Sequence, residues 1–420
     1  MRIEHEIITN LEEAMQRRLS ILPSALRPFT REYHDLPQTL VLTGPRGVGK
    51  TTFLLHHATG KRFLYLSMDN PSLANFPLYD LVRAIFLEGY EGIIIDEVHF
   101  AANWSLYLKA LSDDFPRHSI WASDSSSLVL RRGVGDLSRR FVPISMPLLS
   151  FREFLALETG QNYPACDPFS PNVPLPLAPT PELLTAFQRY KQRGTRPFYA
   201  QSEFEERMMA ILDKSLYADV PFFLPGVTDG NLRLMKAIIG TLAHATIPRV
   251  QVRSLCADWS IGSEKLYQIL EIMQSVGVLR IIRLENDTKA KTAGQKLFFA
   301  DPVLYELLGG NAGTAREAFV AFLCESAGWS IEACRDETKA DFVISSPLGI
   351  KPVRKYTLEV CLLYTSDAAD DLLCVDLGGR RIIKKKKIKK IKKNKVNNYE
   401  NKNNHQYKRN ITHVYLSMNN

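Results

Sequence analysis

The segment Gly44-Pro45-Arg46-Gly47-Val48-Gly49-Lys50-Thr51 decides the fold of this chain. It fits the pattern G-x-x-x-x-G-K-[ST], follows the apolar run Thr39–Thr43 and opens a helical stretch over residues 52–57. Glycines let the backbone turn tightly, so that successive amide groups converge on phosphate oxygens, and the helix N-terminus adds its positive dipole end. A strand, this turn and a helix in that order predict a phosphate-binding loop.

The residue types of this loop indicate a nucleoside triphosphate as its ligand. Lys50 is expected to reach the β- and γ-phosphates, and the Thr51 hydroxyl to ligate Mg²⁺. A glycine-rich strand-to-helix turn without a ligand is the alternative. The predicted nucleotide-binding residues are Gly44, Pro45, Arg46, Gly47, Val48, Gly49, Lys50, Thr51 and Thr52.

A second apolar run, residues 92–95, ends in the adjacent carboxylates Asp96 and Glu97. Open α/β sheets bind ligands at the carboxyl ends of their strands. Asp96 is therefore predicted to orient Mg²⁺, and Glu97 to act as the catalytic base that polarises the attacking water. Solvated carboxylates that merely end a strand are the alternative. Together with the loop, the pair predicts a site for ATP and Mg²⁺.

Short apolar runs separated by helix-length segments predict a parallel sheet that is covered on both faces. The strand candidates are residues 39–43, 62–68, 92–95, 119–122 and 141–146. The expected fold class is α/β: a P-loop NTPase domain with an AAA-like parallel sheet, followed by a helical and winged-helix segment and a truncated α/β nuclease-like remnant.

The chain is predicted to divide into five parts. Prolines crowd residues 164–181, which indicates a linker or a surface insertion. Three helices followed by two strands over residues 232–299 have the order of a winged helix. The parts are an ATPase domain (1–158), a Pro-rich linker with a helical segment (159–231), a winged-helix-like domain (232–310), a truncated nuclease-like segment (311–360) and a tail (361–420).

The net charge of +8 comes from the tail. Residues 361–420 hold 14 Lys and Arg against 5 Asp and Glu, which leaves the rest of the chain at 39 against 40. Bulk charge therefore gives the body no reason to bind nucleic acid or an anionic membrane. No apolar run reaches the roughly 18 residues of a membrane span. An acidic N-terminal start and cysteines without paired spacing favour a cytoplasmic protein.

The tail is interpreted as read-through rather than as part of a fold. Residues 380–395 read RRIIKKKKIKKIKKNK. Residues 361–370 can be back-translated into a sequence that resembles a transposase-end sequencing adapter, and residues 375–383 resemble a flow-cell adapter. A disordered basic tail and a nucleic-acid arm are the alternatives. Resequencing of the genomic locus tests the hypothesis, since an uninterrupted frame through these codons would contradict it.

Several motifs together resemble one bacterial family, the AAA-type ATP-binding proteins whose ATPase domain precedes a domain of unknown function. The motifs are GPRGVGKTT, SMDNPSL (67–73), IIIDEVH (93–99), Trp104 with YLKAL (107–111) and MPLLSFREFL (146–155). The resemblance covers about residues 15–360. It implies a five-stranded AAA-like core that binds ATP with Mg²⁺, and winged-helix and restriction-nuclease-like parts in the C-terminal half. The family's motif residues correspond to Lys50, Thr51, Asp96 and Glu97.

The sequence departs from this family at two places. Ser123-Asp124-Ser125 stands where the family has Thr-Gly-Ser, and the extra carboxylate of Asp124 is expected to repel a γ-phosphate, so sensing by Ser125 is not expected. Arg139-Arg140 stands where the family has Gly-Arg. Arg140 is therefore a candidate catalytic residue that would stabilise transition-state charge, in cis or from a neighbouring subunit. An arginine on a solvated turn is the alternative.

In the C-terminal half, the candidate recognition helix over residues 263–271 carries one Lys against two Glu. This charge disfavours an approach to DNA phosphates and favours a packing role, although DNA binding stays open. The local basic cluster is Lys289, Lys291 and Lys296. Three carboxylates fall where nuclease-like domains of the family hold a metal: Glu317, Asp341 and Glu359. An inactive remnant is favoured over a nuclease.

These observations favour an ATPase in which ATP binding and hydrolysis change the conformation of the C-terminal half. One alternative is a DNA-binding or regulatory protein for which ATP is a structural ligand. Another is an ATP-gated nuclease. Assembly into a homo-oligomer is compatible with the sequence, and no membrane partner is expected.

Overall fold

The computed structural model describes most of the body of the chain. The described residues are 5–126, 137–163, 180–224, 226–249, 252–287, 296–335, 340–347, 353–362 and 373–377. Most of the Pro-rich linker, and also Lys289 and Lys291, lie outside them.

Five parallel strands form the central sheet, in the order β2-β3-β4-β1-β5. The strands are β1 Thr39–Thr43, β2 Phe63–Ser67, β3 Gly92–Asp96, β4 Ser119–Asp124 and β5 Val142–Ser145. The predicted strands and the α/β fold class are confirmed. Ile93, Ile94 and Ile95 have no exposed surface, because helices cover both faces of the sheet.

In the described part of the chain, six α-helices accompany this sheet. They are α1 His5–Ser20, α2 Pro28–Glu32, α3 Lys50–Ala58, α4 Leu78–Leu87, α5 Trp104–Asp114 and α6 Phe151–Thr159. Helix α1 buries Ile8, Leu11 and Met15, whose spacing places them on one helix face. Helix α3 begins at Lys50, immediately after the glycine-rich turn. The sheet and helices thus place that turn at the carboxyl end of β1.

The next part of the chain is helical. It contains α7 Pro181–Arg193, α8 Phe204–Lys214, a π-helical turn Ser215–Asp219, α9 Val220–Phe223, α10 Asp229–His244, α11 Val252–Asp258 and α12 Ser263–Ser275. The antiparallel strands β6 Leu279–Ile282 and β7 Lys296–Phe299 follow. The predicted order of three helices and a hairpin is therefore present, and its identification as a winged helix stays a prediction.

Two helices and a second sheet complete the described chain. They are α13 Val303–Leu307 and α14 Ala312–Ser326, then β8 Ser330–Ala333, β9 Phe342–Ser345, β10 Lys355–Leu362 and β11 Leu373–Leu377, with the strand order β11-β10-β9-β8. The sequence pattern predicts strands at residues 341–345 and 356–360, which correspond to β9 and β10, but it predicts none at β8. The end of β10 and all of β11 lie in the stretch that was set aside as read-through, and that hypothesis stays a prediction. Among the described residues, no helix combines the length and apolar character needed to cross a membrane.

Candidate nucleotide-binding site

The turn between β1 and α3 has a backbone that only glycine tolerates at two positions. Gly49 has a φ of +100°, in a region that side-chain-bearing residues rarely adopt. A Cβ on Gly44 would overlap the carbonyl oxygen of Met146, which follows β5. The glycines of the motif are therefore required by the path of the chain, which brings the loop against the end of β5.

Lys50 lies inside the loop, with 7% of its surface exposed. Its Nζ donates to the carbonyl oxygens of Gly44 at 2.8 Å and Pro45 at 3.2 Å. Burial lowers the pKa of the Lys50 ammonium, and the nearby charges of Glu97 and Asp96 oppose this effect. The side chain is thus held at the mouth of the turn by neutral carbonyls, where an anionic phosphate would be a stronger partner.

Asp96 is fixed by four donors at the end of β3. The Thr51 hydroxyl donates to Oδ2 at 2.7 Å, and the Tyr65 hydroxyl to the same oxygen at 2.8 Å. The Ser123 hydroxyl, at 2.5 Å, and the Glu97 amide, at 3.1 Å, donate to Oδ1. Carboxylate and hydroxyl oxygens are the ligands that Mg²⁺ prefers, so the adjoining Thr51 and Asp96 fit that ion.

Glu97 follows Asp96 in a left-handed backbone conformation, with a φ of +50°. Non-glycine residues adopt this conformation rarely, and functional sites are one place where they do. Arg46 Nη1 donates to Glu97 Oε1 at 2.5 Å, and the Ser125 hydroxyl donates to Oε2 at 2.9 Å. Burial raises the pKa of Glu97, while Arg46 and Lys50 counteract the rise. A carboxylate with a raised pKa is a better general base near neutral pH.

Asp124 is the residue that was expected to repel a γ-phosphate. In the structure its carboxylate lies against donors of the protein itself. Its Oδ2 accepts from the His99 amide at 3.1 Å and lies 2.6 Å from His99 Nδ1, and its Oδ1 accepts from the Ser126 amide at 2.8 Å. Glu97, His99 and Asp124 also bring three potential metal-ligand atoms within 4.8 Å of one another. In this structure Asp124 instead supports the turn after β3.

Arg140 does not reach the phosphate loop of its own chain. Its Nε lies 2.7 Å from Asp113 Oδ1, and its Nη2 lies 3.0 Å from Oδ2 of the same carboxylate. Because β5 runs parallel to β1 and begins after Arg140, this arginine lies at the amino edge of the sheet, opposite the loop. The role in cis is therefore not supported, and a role from a neighbouring subunit stays a prediction. The arginine beside Glu97 is Arg46.

Arg27 contacts the phosphate loop, and the sequence pattern did not single it out. Its guanidinium is buried and pairs with Glu153 at 3.0 Å. It also donates to the carbonyl oxygens of Val48 at 2.8 Å and Pro147 at 3.0 Å. Glu153 belongs to the segment MPLLSFREFL and forms a capping box with Ser150 at the start of α6. This segment therefore supports the phosphate loop through Arg27. The S-x-x-E spacing of Ser150 and Glu153 is the sequence signal that could have identified the Glu153 carboxylate.

A cavity of about 260 Å³ adjoins the loop beside Gly49 and Thr52. Apolar and small side chains from the N-terminal segment and from the residues after α7 form most of its wall. The lining residues are Pro23, Ala25, Leu26, Arg27, Thr30, Gly49, Thr52, Met146, Leu157, Pro197, Tyr199 and Ala200. Its position next to the phosphate loop suits the base and sugar of a nucleotide.

The nuclease-like carboxylates are joined by a lysine. Lys296 Nζ lies 2.5 Å from Glu317 Oε2 and 2.8 Å from Asp341 Oδ1. Lys296 is buried, and the other two lysines of the predicted basic cluster lie outside the described residues. The apolar pattern around Lys296 on β7 did not reveal its two partners, which lie far along the chain. Glu359 lies exposed on β10. The ammonium group lies between Glu317 and Asp341 and offsets part of their negative charge, so this geometry does not favour a metal there.

One family model matches the part of the chain that contains the glycine-rich turn and the end of β3. The family model of an AAA domain matches residues 37–155, which run from β1 into α6. No curated protein matches the chain.

The solved structures that match this chain have low sequence identity and low TM-scores. A Walker-type ATPase of Pyrococcus abyssi is 13% identical, with 71% of this chain and 95% of that chain covered and a TM-score of 0.38. RuvB of Thermotoga maritima is 16% identical, with 66% and 90% covered and a TM-score of 0.29. The ORC1 protein of Aeropyrum pernix, in complex with DNA, is 11% identical, with 73% and 93% covered and a TM-score of 0.30.

The sheet order, the glycine-rich turn and the family match agree over the same residues. Residues 37–155 of this chain therefore have the α/β fold of a P-loop domain and match the model of an AAA domain.

Proposed function

We propose that the chain is a Mg²⁺-dependent ATPase that acts as a conformational switch coupled to its C-terminal half. The observation that carries this proposal is the contact between the loop and the end of β3. There the Thr51 hydroxyl lies 2.7 Å from the Asp96 carboxylate, and Glu97 follows directly. These groups are the set that phosphoryl transfer to water requires.

Each residue has a defined task in this proposal. Amides of the loop and Lys50 bind the phosphate oxygens, and Thr51 and Asp96 hold Mg²⁺, which neutralises phosphate charge when it is bound. Glu97 orients the attacking water and accepts its proton. Tyr65 and Ser123 keep the Asp96 carboxylate in one orientation through their hydrogen bonds. Arg27 keeps the loop in place through the Val48 carbonyl.

The cavity beside Gly49 and Thr52 supports a nucleoside rather than a bare polyphosphate as the ligand. Its wall of apolar side chains offers a purine base a place out of water. Competition between ATP and GTP for the wild-type protein checks which base it prefers, with inorganic triphosphate as the control that lacks a base.

Phosphate release from ATP, measured with and without Mg²⁺, tests the proposal. We expect turnover with Mg²⁺ and none after chelation. The alternative, in which ATP is only a structural ligand, predicts a raised melting temperature without phosphate release. Binding of ATP without turnover in the presence of Mg²⁺ would therefore reject the ATPase and favour that alternative.

The DNA-binding and nuclease alternatives gain no specific support. The exposed charged residues of α12 are Glu264 and Glu271, and Lys265 is half-buried, which gives the exposed side of this helix an acidic character. Lys296 is buried between carboxylates rather than presented on the hairpin. Both features disfavour contact with phosphate backbones.

A further inference from the structure

A short segment of the C-terminal half crosses the nucleotide edge of the sheet. We name residues 214–223 the latch segment; it contains the end of α8, the π-helical turn and α9. Lys214 pairs with Asp69 after β2 at 3.2 Å. Phe222 and Phe223 pack against the His99 ring after β3, with ring centroids at 4.8 and 5.3 Å. The latch segment therefore contacts the ends of two neighbouring strands.

The central contact of the latch segment is the ion pair between Asp219 and Arg46 of the phosphate loop. Arg46 Nε donates to Asp219 Oδ2 at 2.8 Å, and Arg46 Nη2 donates to Oδ1 at 2.6 Å. The side chain of Asp219 is 1% exposed and that of Arg46 is 9% exposed. This two-pronged geometry is the strong form of a charge-assisted hydrogen bond.

The same guanidinium also holds Glu97, the proposed base. Arg46 Nη1 lies 2.5 Å from Glu97 Oε1, and Nη2 lies 3.4 Å from Oε2. The Ser125 hydroxyl donates to Oε2 as well. Both oxygens of Glu97 thus already accept hydrogen bonds, which leaves this carboxylate fewer free positions at which a water molecule could donate its proton. One arginine links the base to the C-terminal half.

We propose that Arg46 exchanges partners when a nucleoside triphosphate binds, leaving Glu97 and Asp219 for the phosphate oxygens. This change of partners by Arg46 rests on the proposed function. It makes Arg46 a phosphate-binding residue and Asp219 a positioning residue that acts on Glu97 through Arg46. Guanidinium groups bind phosphate oxygens bidentately, so a terminal phosphate offers Arg46 the same two-pronged geometry that Asp219 offers it in this structure. When Arg46 changes partners, Glu97 becomes free to activate water, and the latch segment is released in the same step.

The local structure of the latch segment suits such a release. Residues Ser215–Asp219 form a π-helical turn, and Pro221, just beyond it, has no amide hydrogen to continue an α-helical ladder. Single π-helical turns inside helices occur frequently at functional sites. Asp219 is the last residue of this turn, where the helical register changes.

Amide hydrogen exchange of the full chain tests the proposal directly. Without nucleotide, we expect slow exchange in the latch segment. With Mg²⁺ and a non-hydrolysable ATP analogue, exchange there should rise at least tenfold. In Asp219→Asn, exchange should already be fast without nucleotide and should rise little further. Asp213→Asn is the matched control, because Asp213 lies on α8 but is half exposed and pairs only loosely with Lys236, at 3.6 Å.

Binding of the analogue gives a second measurement. Opening the latch opposes binding in the wild type, so Asp219→Asn should lower the Kd of the analogue about tenfold by removing that opposition. Asp219→Glu keeps the charge and should restore wild-type exchange and a Kd close to that of the wild type.

The outcomes separate this proposal from the proposed function. The wild type could bind the analogue while amide hydrogen exchange in the latch segment stays unchanged. In that case the proposed change of partners by Arg46 is wrong, and the proposed ATP site is unaffected. An unaltered Kd in Asp219→Asn contradicts the proposal in the same way. If the wild type does not bind the analogue at all, both proposals fail. The wild-type measurement decides the matter even if Asp219→Asn does not fold.

Discussion

Lys50 is the residue on which nucleotide binding depends most. Its ammonium group is buried and is held by two backbone carbonyls, which a phosphate would replace as partners. We expect Lys50→Ala to lose nucleotide binding by at least 100-fold, roughly two charge-assisted hydrogen bonds. Fluorescent-nucleotide titration measures this. Lys61→Ala, which removes an exposed lysine of the same domain, should bind as the wild type does; equal binding by both variants would contradict the assignment.

Glu97 should affect turnover most. Glu97→Gln keeps the shape of the side chain but removes the proton acceptor, so kcat should fall roughly 100-fold or more, while ATP should bind at least as tightly as in the wild type because Arg46 has a weaker partner to leave. Single-turnover phosphate release measures the effect, with the exposed Glu88→Gln as the control. Hydrolysis by Glu97→Gln at the wild-type rate would show that another group is the base.

The pH dependence should report the surroundings of Glu97. Burial raises its pKa, so kcat/KM should fall on the acid side at a pH above the roughly 4.3 of an unperturbed glutamate. Arg46 counteracts that rise, so Arg46→Gln should move the acid limb to still higher pH. The exposed Arg31→Gln is the control. If the acid limb of the kcat/KM profile stays at the same pH in Arg46→Gln, the charge of Arg46 does not affect the pKa of Glu97 in solution.

Local spacing explains which site residues the sequence could predict. Lys50, Thr51, Asp96 and Glu97 lie at the ends of recognisable strands and helices, and the structure brings them together. Arg46 was identified only as a member of the loop. Its partner Asp219 lies 173 residues away, and an ion pair across that separation leaves no periodic or spacing signal.

At the scale of elements, helix α6, which contains the second half of the segment MPLLSFREFL (146–155), supports the phosphate loop. Its first turn carries Glu153, which caps the helix and pairs with buried Arg27. We expect Glu153→Gln to lower the free energy of unfolding by about 3–5 kcal/mol, because it leaves a buried guanidinium without its counter-charge. Urea denaturation measures the loss. The more exposed pair of Glu158 with Arg189 supplies the control Glu158→Gln, for which about 0–1 kcal/mol is expected; equal losses would contradict the bracing role.

The elements themselves followed largely from the sequence. Strands β1 to β5 were predicted because buried parallel strands read as short apolar runs. Strand β8 was not, because its four residues Ser330–Ala333 alternate weakly and have a charged member. The π-helical turn was missed for another reason: its residues continue the helical pattern of α8, and only Pro221 marks the change of register.

At the scale of the whole molecule, charge is divided between the body and the tail. The body has 39 basic against 40 acidic residues, while residues 361–420 carry an excess of nine positive charges. We expect any duplex DNA affinity of the full chain to fall steeply with salt and to vanish in a chain that ends at residue 360. Electrophoretic mobility shifts at several salt concentrations check this. Salt-dependent affinity that survives the truncation would instead favour DNA binding by the winged-helix-like part.

The most direct test of the account is a crystal structure of the full chain with Mg²⁺ and a non-hydrolysable ATP analogue. We predict the triphosphate on the amides of the turn between β1 and α3, with Lys50 on its terminal phosphates and Thr51 beside the metal. An ordered turn that stays empty at saturating analogue concentration would contradict the assignment of this loop as a nucleotide site.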